Sequence, residues 1–261
     1  MLAKRAYAVS NQLLIAGCSN AAGYEISGIE DCKHNRRKSF GNQLAKKMGL
    51  EPVNIALGAS SNPAIVRSVR EWIAEHGKPA RVLVAFTELT RLDVPSPYKI
   101  WYGEMNPAVN WYNGYMDEFL QVNSGWAGAN DQERKIVAYW HDYQVRQEKM
   151  MWLQTVNLQW GLQNYLKLLD IPYTFCNTMH VYPDAGDQEF EHYCGQDWAH
   201  IDESNYMYAR DNSKCFYWYY KNLGYENPLA KYWHHDETPH ALYAEALYDF
   251  IQNGARVDLL P

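Results

Sequence analysis

The chain has 261 residues, 47% hydrophobic and 21% charged, with a formal net charge of −6. This is enough apolar material for one large α/β domain with insertions, and the acidic balance leaves no basic footprint for nucleic acid. No apolar run reaches membrane-spanning length. Five cysteines without short paired spacings do not make a disulfide framework, which suits a reducing compartment.

Residues 1–10 read as an arm or a strand lead-in. Residues 12–17 (QLLIAG) form the first core strand, and Gly17-Cys18-Ser19 then breaks the apolar run. A hydroxyl in a turn just past a core strand lies at the carboxyl edge of a sheet, where open α/β sheets bind ligands. Ser19 is therefore a candidate nucleophile. Two other readings fit the same stretch. One is a plain strand-to-helix turn. The other is a lipoprotein signal, because Lys4 and Arg5 precede Leu14-Ile15-Ala16-Gly17-Cys18. A signal needs an unbroken apolar segment, and Ser10-Asn11-Gln12 interrupts this one.

Residues 25–37 are polar and charged and read as a surface loop. Residues 39–48 form a helix, with Phe40, Leu44 and Met48 four apart and Gly49 as the stop. Residues 52–57 are a short second strand. Gly58 to Pro63 turns into the next helix, with Asn62 as N-cap and Pro63 at N1. Ile65, Val66, Val69, Trp72 and Ile73 mark its apolar face, and Gly77 ends it. Residues 80–86 are a third strand, apolar throughout, as expected of a parallel strand covered on both faces. Alternating strands and helices predict a three-layer α/β sheet with right-handed crossovers.

Residues 87–130 are rich in Pro, Gly, Asn, Trp and Tyr and read as an insertion at the carboxyl edge. Residues 131–170 are helical but too long for one average helix, so a bend or split is expected. Residues 171–176 are the fourth strand, and 177–230 form a second, polar and aromatic insertion. A closing helix spans 239–253, with Thr238 as N-cap and Leu242, Tyr243, Ala246, Leu247, Phe250 and Ile251 on its buried side. One domain over 1–261, with insertions at about 87–130 and 177–230, is the simplest account. The 21 Tyr and 10 Trp suit a large interface or a sugar-stacking surface, or equally a core rich in rings.

A serine nucleophile needs a base within reach and donors for the developing oxyanion. The run Trp233-His234-His235-Asp236-Glu237-Thr238-Pro239-His240 lies just before the closing helix. His234 or His235 is the candidate base, oriented by Asp236 or by a carboxylate from elsewhere. A second cluster is Asp197-Trp198-Ala199-His200. The N–H groups of Ser19 and Gly58 are candidate oxyanion donors, although Gly58 also suits a plain turn. Asn62 offers an amide, but capping explains it better. No metal is expected, because His234, His235, Asp236 and His240 match no common zinc spacing. No cofactor is expected either, since no Gly-rich phosphate loop follows any strand.

Gly17-Cys18-Ser19 resembles the Gly-Asp-Ser block of the SGNH/GDSL hydrolases. Gly58 resembles their second block, and the segment HHDETPHALYAEAL (234–247) resembles their last. The order of LIAGCS (14–19), NIALGASSN (54–62) and FTELTR (86–91) is similar to that of phage-encoded SGNH-like proteins. The resemblance implies a flavodoxin-like three-layer fold, Ser19 as nucleophile, Ser19 and Gly58 as oxyanion donors, and His234 as the histidine, with His235 in reserve. Thr87 and Glu88 stand where the family places an oxyanion Asn. Cys18 replaces its usual Asp beside the serine, and the Asp three residues before the histidine becomes Lys231; the literal Asp197-x-x-His200 lies too early in the chain. Losing one oxyanion donor costs on the order of 100-fold in rate, and losing the orienting Asp costs a further large factor, so weak activity is expected unless Glu88, Asp93 or Asp236 substitutes. Two functions follow. One is a serine esterase acting on an acylated carbohydrate or similar ester. The other is a degenerate scaffold serving as a phage virion structural or adhesion protein, with protein partners held by the aromatic insertions. The host cytoplasm or a virion is the expected location, without a membrane or nucleic-acid partner.

Overall fold

The computed structural model describes residues 10–27, 32–95, 119–122, 135, 139, 147–230 and 234–254; for 32–33, 92–95 and 119–122 it describes the backbone course. The arm over 1–9, most of the 87–130 insertion and most of the first half of the 131–170 helix lie outside these residues.

Strands β1 (Gln12–Gly17), β2 (Glu51–Asn54), β3 (Arg81–Phe86) and β6 (Tyr173–Asn177) form one parallel sheet in the order β2-β1-β3-β6. This is the start of the flavodoxin-like 2-1-3-4-5 order. A separate antiparallel pair, β4 (Leu92–Pro95) with β5 (Phe119–Val122), stands within the first insertion.

Strand side chains alternate between faces, and both faces are covered. Leu14, Ala16, Val82, Val84 and Phe86 pack with α4 (Asn62–His76) and α5 (Glu148–Leu168). Leu13, Ile15, Leu83, Ala85 and Cys176 pack with α3 (Phe40–Lys47) and α8 (Glu237–Asn253). Burial on both sides is why these strands read as continuous apolar runs. The expected three-layer α/β fold is therefore present.

Several local expectations change. Strand β2 stops at Asn54 although Ile55 and Leu57 N–H still donate to Ile15 O and Gly17 O, at 2.8 and 3.1 Å. Its outer edge is closed there by the Arg36 guanidinium, which donates to the carbonyls of Asn54 and Ala56. The segment expected as a surface loop contains the short helix α2 (Cys32–Arg36) and the buried residues Glu25, Ile26 and Asn35. Asn62 is not the cap of α4: Ser61 Oγ accepts from Ala64 N at 3.2 Å. Asn62 is thereby free to bridge to Thr87, accepting its N–H at 2.9 Å and donating to its carbonyl at 3.0 Å. Thr238 is not the cap of α8 either, because Asp236 Oδ1 accepts its N–H at 2.9 Å.

The segment 177–230 holds α6 (Gln188–Trp198), two 3-10 turns and α7 (Phe216–Asn222). Its rings build core. Tyr182, Phe190 and Trp198 meet edge to face, with centroids 5.2–5.7 Å apart. Their polar handles are satisfied in a chain: Tyr182 OH donates to Gln159, Gln159 Nε2 to Tyr206 OH, and Tyr206 OH to Asn177 Oδ1. On the other face, Phe40 and Phe216 enclose the buried His240, whose Nδ1 accepts Phe40 N–H at 3.2 Å.

Two predictions follow from this packing. Asn62→Ala removes two buried hydrogen bonds and leaves the Thr87 backbone unpaired, so urea unfolding should show a loss of about 1–3 kcal/mol. Burial also holds His240 well below the ordinary imidazole value of 6.5, and holds His234 and His235 below it. A group with a depressed folded pKa contributes stability above its unfolded pKa and loses it as pH falls towards the folded value. The urea midpoint should therefore drop on acidification below about pH 6.5, and the drop should shrink in His240→Gln.

Candidate active site

The site starts at Gly17. A Cβ there would lie 2.6 Å from Ala21 Cβ and 2.9 Å from Ala85 O, so a glycine is needed for the chain to fold back against β3. Cys18 is extended, and Ser19 opens the single-turn helix α1 (Ser19–Ala22), closed by Gly23 at φ +75°. Ser19 sits at the carboxyl edge of β1, 8% exposed. Behind it, Cys18 Sγ lies 3.2 Å from Thr178 Oγ1, which donates to Phe86 O at 2.9 Å. These contacts tie together the ends of β1, β3 and β6.

The chain then turns through Tyr24 to Glu25, which adopts φ +57°. That conformation is strained for a glutamate, and such strain gathers at functional sites. Glu25 is 4% exposed, and its Oε2 lies 2.8 Å from Nδ1 of His234. The imidazole pKa is pushed down by burial, pulled up by Glu25, and pushed down again by the Arg91 and His235 charges. With Nδ1–H held by the carboxylate, Nε2 carries the lone pair and is the basic atom. The Tyr24 ring lies 5.7 Å from the His234 ring, and its edge is 3.4 Å from where a Cβ on Gly58 would stand. Tyr24 thus approaches both Gly58 and His234, and its own N–H donates to Ser19 O at 3.0 Å.

The other sequence candidates take different places. Thr87 is fully buried, with its backbone clasped by Asn62, which leaves both ends of the Asn62 amide engaged. Glu88 Oε1 accepts from Arg91 Nε at 2.9 Å. Glu88 also lines a cleft of about 380 Å³ with Trp152, His180, Tyr182 and Asn212. Both ring nitrogens of His235 face backbone carbonyls, Tyr225 O at 2.8 Å and Tyr217 O at 2.9 Å. Asp236 caps α8. His200 stacks on Trp160 of α5, with ring centroids 4.6 Å apart. Lys231 and the Asp93 side chain lie outside the described residues. Among the described residues, no three His, Cys, Asp or Glu side chains are grouped to hold a metal ion.

Sequence reading missed Glu25, six residues after Ser19 in what looked like a loop. A carboxylate in a polar stretch carries no mark of its pairing with a histidine 209 positions away.

No protein-family model matches the chain, and no curated protein matches it. Solved structures with a similar chain course include esterase EstA from Pseudoalteromonas sp., inhibited by monoethylphosphonate. It is 12% identical, with a TM-score of 0.45, covering 93% of this chain and 97% of that one. A carbohydrate esterase family 2 enzyme from Corynascus thermopiles (Myceliophthora fergusii) is 12% identical with a TM-score of 0.45, covering 93% of this chain and 66% of that one. The acetyl xylan esterase Est2A of Butyrivibrio proteoclasticus is 9% identical with a TM-score of 0.42, covering 94% and 64%. At these values the likeness assigns no activity.

Because Glu25 raises the His234 pKa against burial, Glu25→Gln should lower it further. The His234 side-chain nitrogen shifts, followed by NMR from pH 8 to 4, should titrate at lower pH in the variant than in the wild type.

Proposed function

We propose that the chain is a serine esterase in which Ser19 attacks, His234 moves the proton and Glu25 orients the imidazole. The observation that carries this is the buried Glu25–His234 pair, 2.8 Å apart, linked to Ser19 through Tyr24, whose N–H donates to Ser19 O at 3.0 Å and whose ring lies 5.7 Å from that of His234. In this reading His234 Nε2 takes the Ser19 hydroxyl proton as Oγ bonds to the ester carbonyl carbon. The N–H groups of Ser19 and Gly58 receive the oxyanion. Collapse breaks the ester C–O bond, and the alcohol leaves with the proton from Nε2. Water then repeats the sequence on the acyl-enzyme and releases the acid. Glu25 stabilises the imidazolium formed in each half, a task given to neither Asp236 nor Asp197.

The substrate we infer is an acylated carbohydrate or similar ester, with its alcohol portion in the cleft beside Glu88. About 380 Å³ accommodates a sugar-sized group, and Glu88, His180 and Asn212 offer polar contacts among its lining residues. The competing reading, a phage virion structural or adhesion scaffold, gives no reason for Glu25 to be buried, strained and paired. The described rings of 177–230 also serve the core, with Tyr193 the large exposed exception.

The test is p-nitrophenyl acetate hydrolysis together with fluorophosphonate labelling. Ser19→Ala should abolish labelling, and His234→Ala should lower kcat by a factor on the order of 1000. Because only neutral His234 accepts the proton, kcat/KM should stay level down through about pH 6.5 and fall below it. Labelling that persists in Ser19→Ala, or no labelling of the wild type, overturns the proposal.

A further inference from the structure

Residues 87–91 follow β3 at the same sheet edge, and polar atoms without hydrogen-bond partners gather there. Of the nine buried side-chain atoms that lack a partner among the described residues, three belong to this loop: Thr87 Oγ1, Thr90 Oγ1 and Arg91 Nη1. Arg91 is the most costly of these. Its side chain is 12% exposed, and its Nε is paired with Glu88 Oε1 at 2.9 Å. The Cys18 thiol lies against the guanidinium. A guanidinium has five N–H donors, and burying one without an acceptor is costly, more so for a charged group. An N–H held in that state, on a guanidinium against Cys18, the residue next to the candidate nucleophile, is set for an acceptor that arrives with the substrate.

We propose that Arg91 is a catalytic oxyanion donor of the Ser19 site, offering Nη1–H to the carbonyl oxygen as it becomes an alkoxide. The assignment rests on the esterase reading above. The geometry favours an anion made during the reaction over one carried by the substrate. Glu88 and Glu148 both line the adjoining cleft, so an anionic alcohol portion would meet two carboxylates there. The Glu88 ion pair leaves Arg91 with reduced net attraction for a resting anion, while its unengaged N–H still rewards charge that appears at short range. Such a donor acts differentially, because a neutral carbonyl gains little from it and an alkoxide gains much. It also balances the proton chemistry: Arg91 opposes a charged His234 and Glu25 favours one, which keeps the base neutral until the serine proton reaches it.

The experiment measures p-nitrophenyl acetate hydrolysis and fluorophosphonate labelling rates for wild type, Arg91→Met and Arg91→Lys, with Ser19→Ala as the blank and thermal melting as the folding control. Arg91→Met should lower kcat on the order of 100-fold while KM moves by less than about threefold, the pattern of an interaction made only in the transition state. Labelling, which also passes through a charged phosphoryl oxygen, should slow in parallel. If Arg91→Met does not fold, Arg91→Lys decides the matter. It keeps the charge beside Glu88 but loses the planar fork, and should lower kcat at least about tenfold. A folded variant with kcat within about threefold of wild type overturns the assignment alone. Absence of Ser19-dependent turnover in the wild type overturns the esterase reading, and this role with it.

Discussion

A carboxylate that is almost completely removed from water needs a charged or hydrogen-bonded partner, and Glu25 finds it in the imidazole of His234. The pairing explains features on both sides of it. Glu25 accepts a left-handed backbone conformation to reach the imidazole. Its carbonyl is held by Asn227 Nδ2 at 2.9 Å, so the end of the second insertion buttresses the carboxylate. His234, in turn, is drawn in ahead of α8 by a contact that no neighbour in sequence could supply.

The sheet edge is arranged around that pair. Gly17 permits the close turn that places Ser19, and the Cys18–Thr178–Phe86 contacts fix three strand ends together. Asn62 spans from the start of α4 to the end of β3 and sets the position of the loop that follows. That loop brings Glu88 and Arg91 to the same rim. Two acidic and two basic side chains meet there, with Glu25 against His234 and Glu88 against Arg91. The Glu88–Arg91 ion pair lowers the desolvation cost of its members, and the hydrogen bond from the neutral imidazole does the same for the Glu25 carboxylate.

The abundance of tyrosine and tryptophan has a structural outcome through much of 177–230. Tyr182, Trp198, Tyr206, Tyr217 and Tyr220 are all buried. A large ring fills volume at low conformational cost, and a hydroxyl on its rim can join a polar chain inside the core. Gln159 is the hinge of one such chain, with its amide oxygen taken by Tyr182 and its amide nitrogen donated to Tyr206. A segment that reads as polar and insertion-like can therefore be an extension of the core.

The sequence by itself determined the three-layer fold, because apolar runs of strand length alternating with amphipathic helices bury both faces of a parallel sheet in few other ways. It also placed the Ser19 turn at the carboxyl edge, since a small-residue turn after a core strand has one natural position there. Helix caps escaped it where neighbours compete: Ser61 displaced Asn62, and Asp236 displaced Thr238, because the side chain that reaches the first free N–H depends on where the preceding backbone points. The partners of the charged groups were decided only by tertiary structure. Glu25 with His234, and Arg91 beside Cys18, are meetings between residues far apart in the chain, and local periodicity holds no record of them. The same reason left His234 and His235 both open as the base from the residues alone, with only the family resemblance favouring His234. Burial between two backbone carbonyls on one side, and beside a carboxylate on the other, is what separates them.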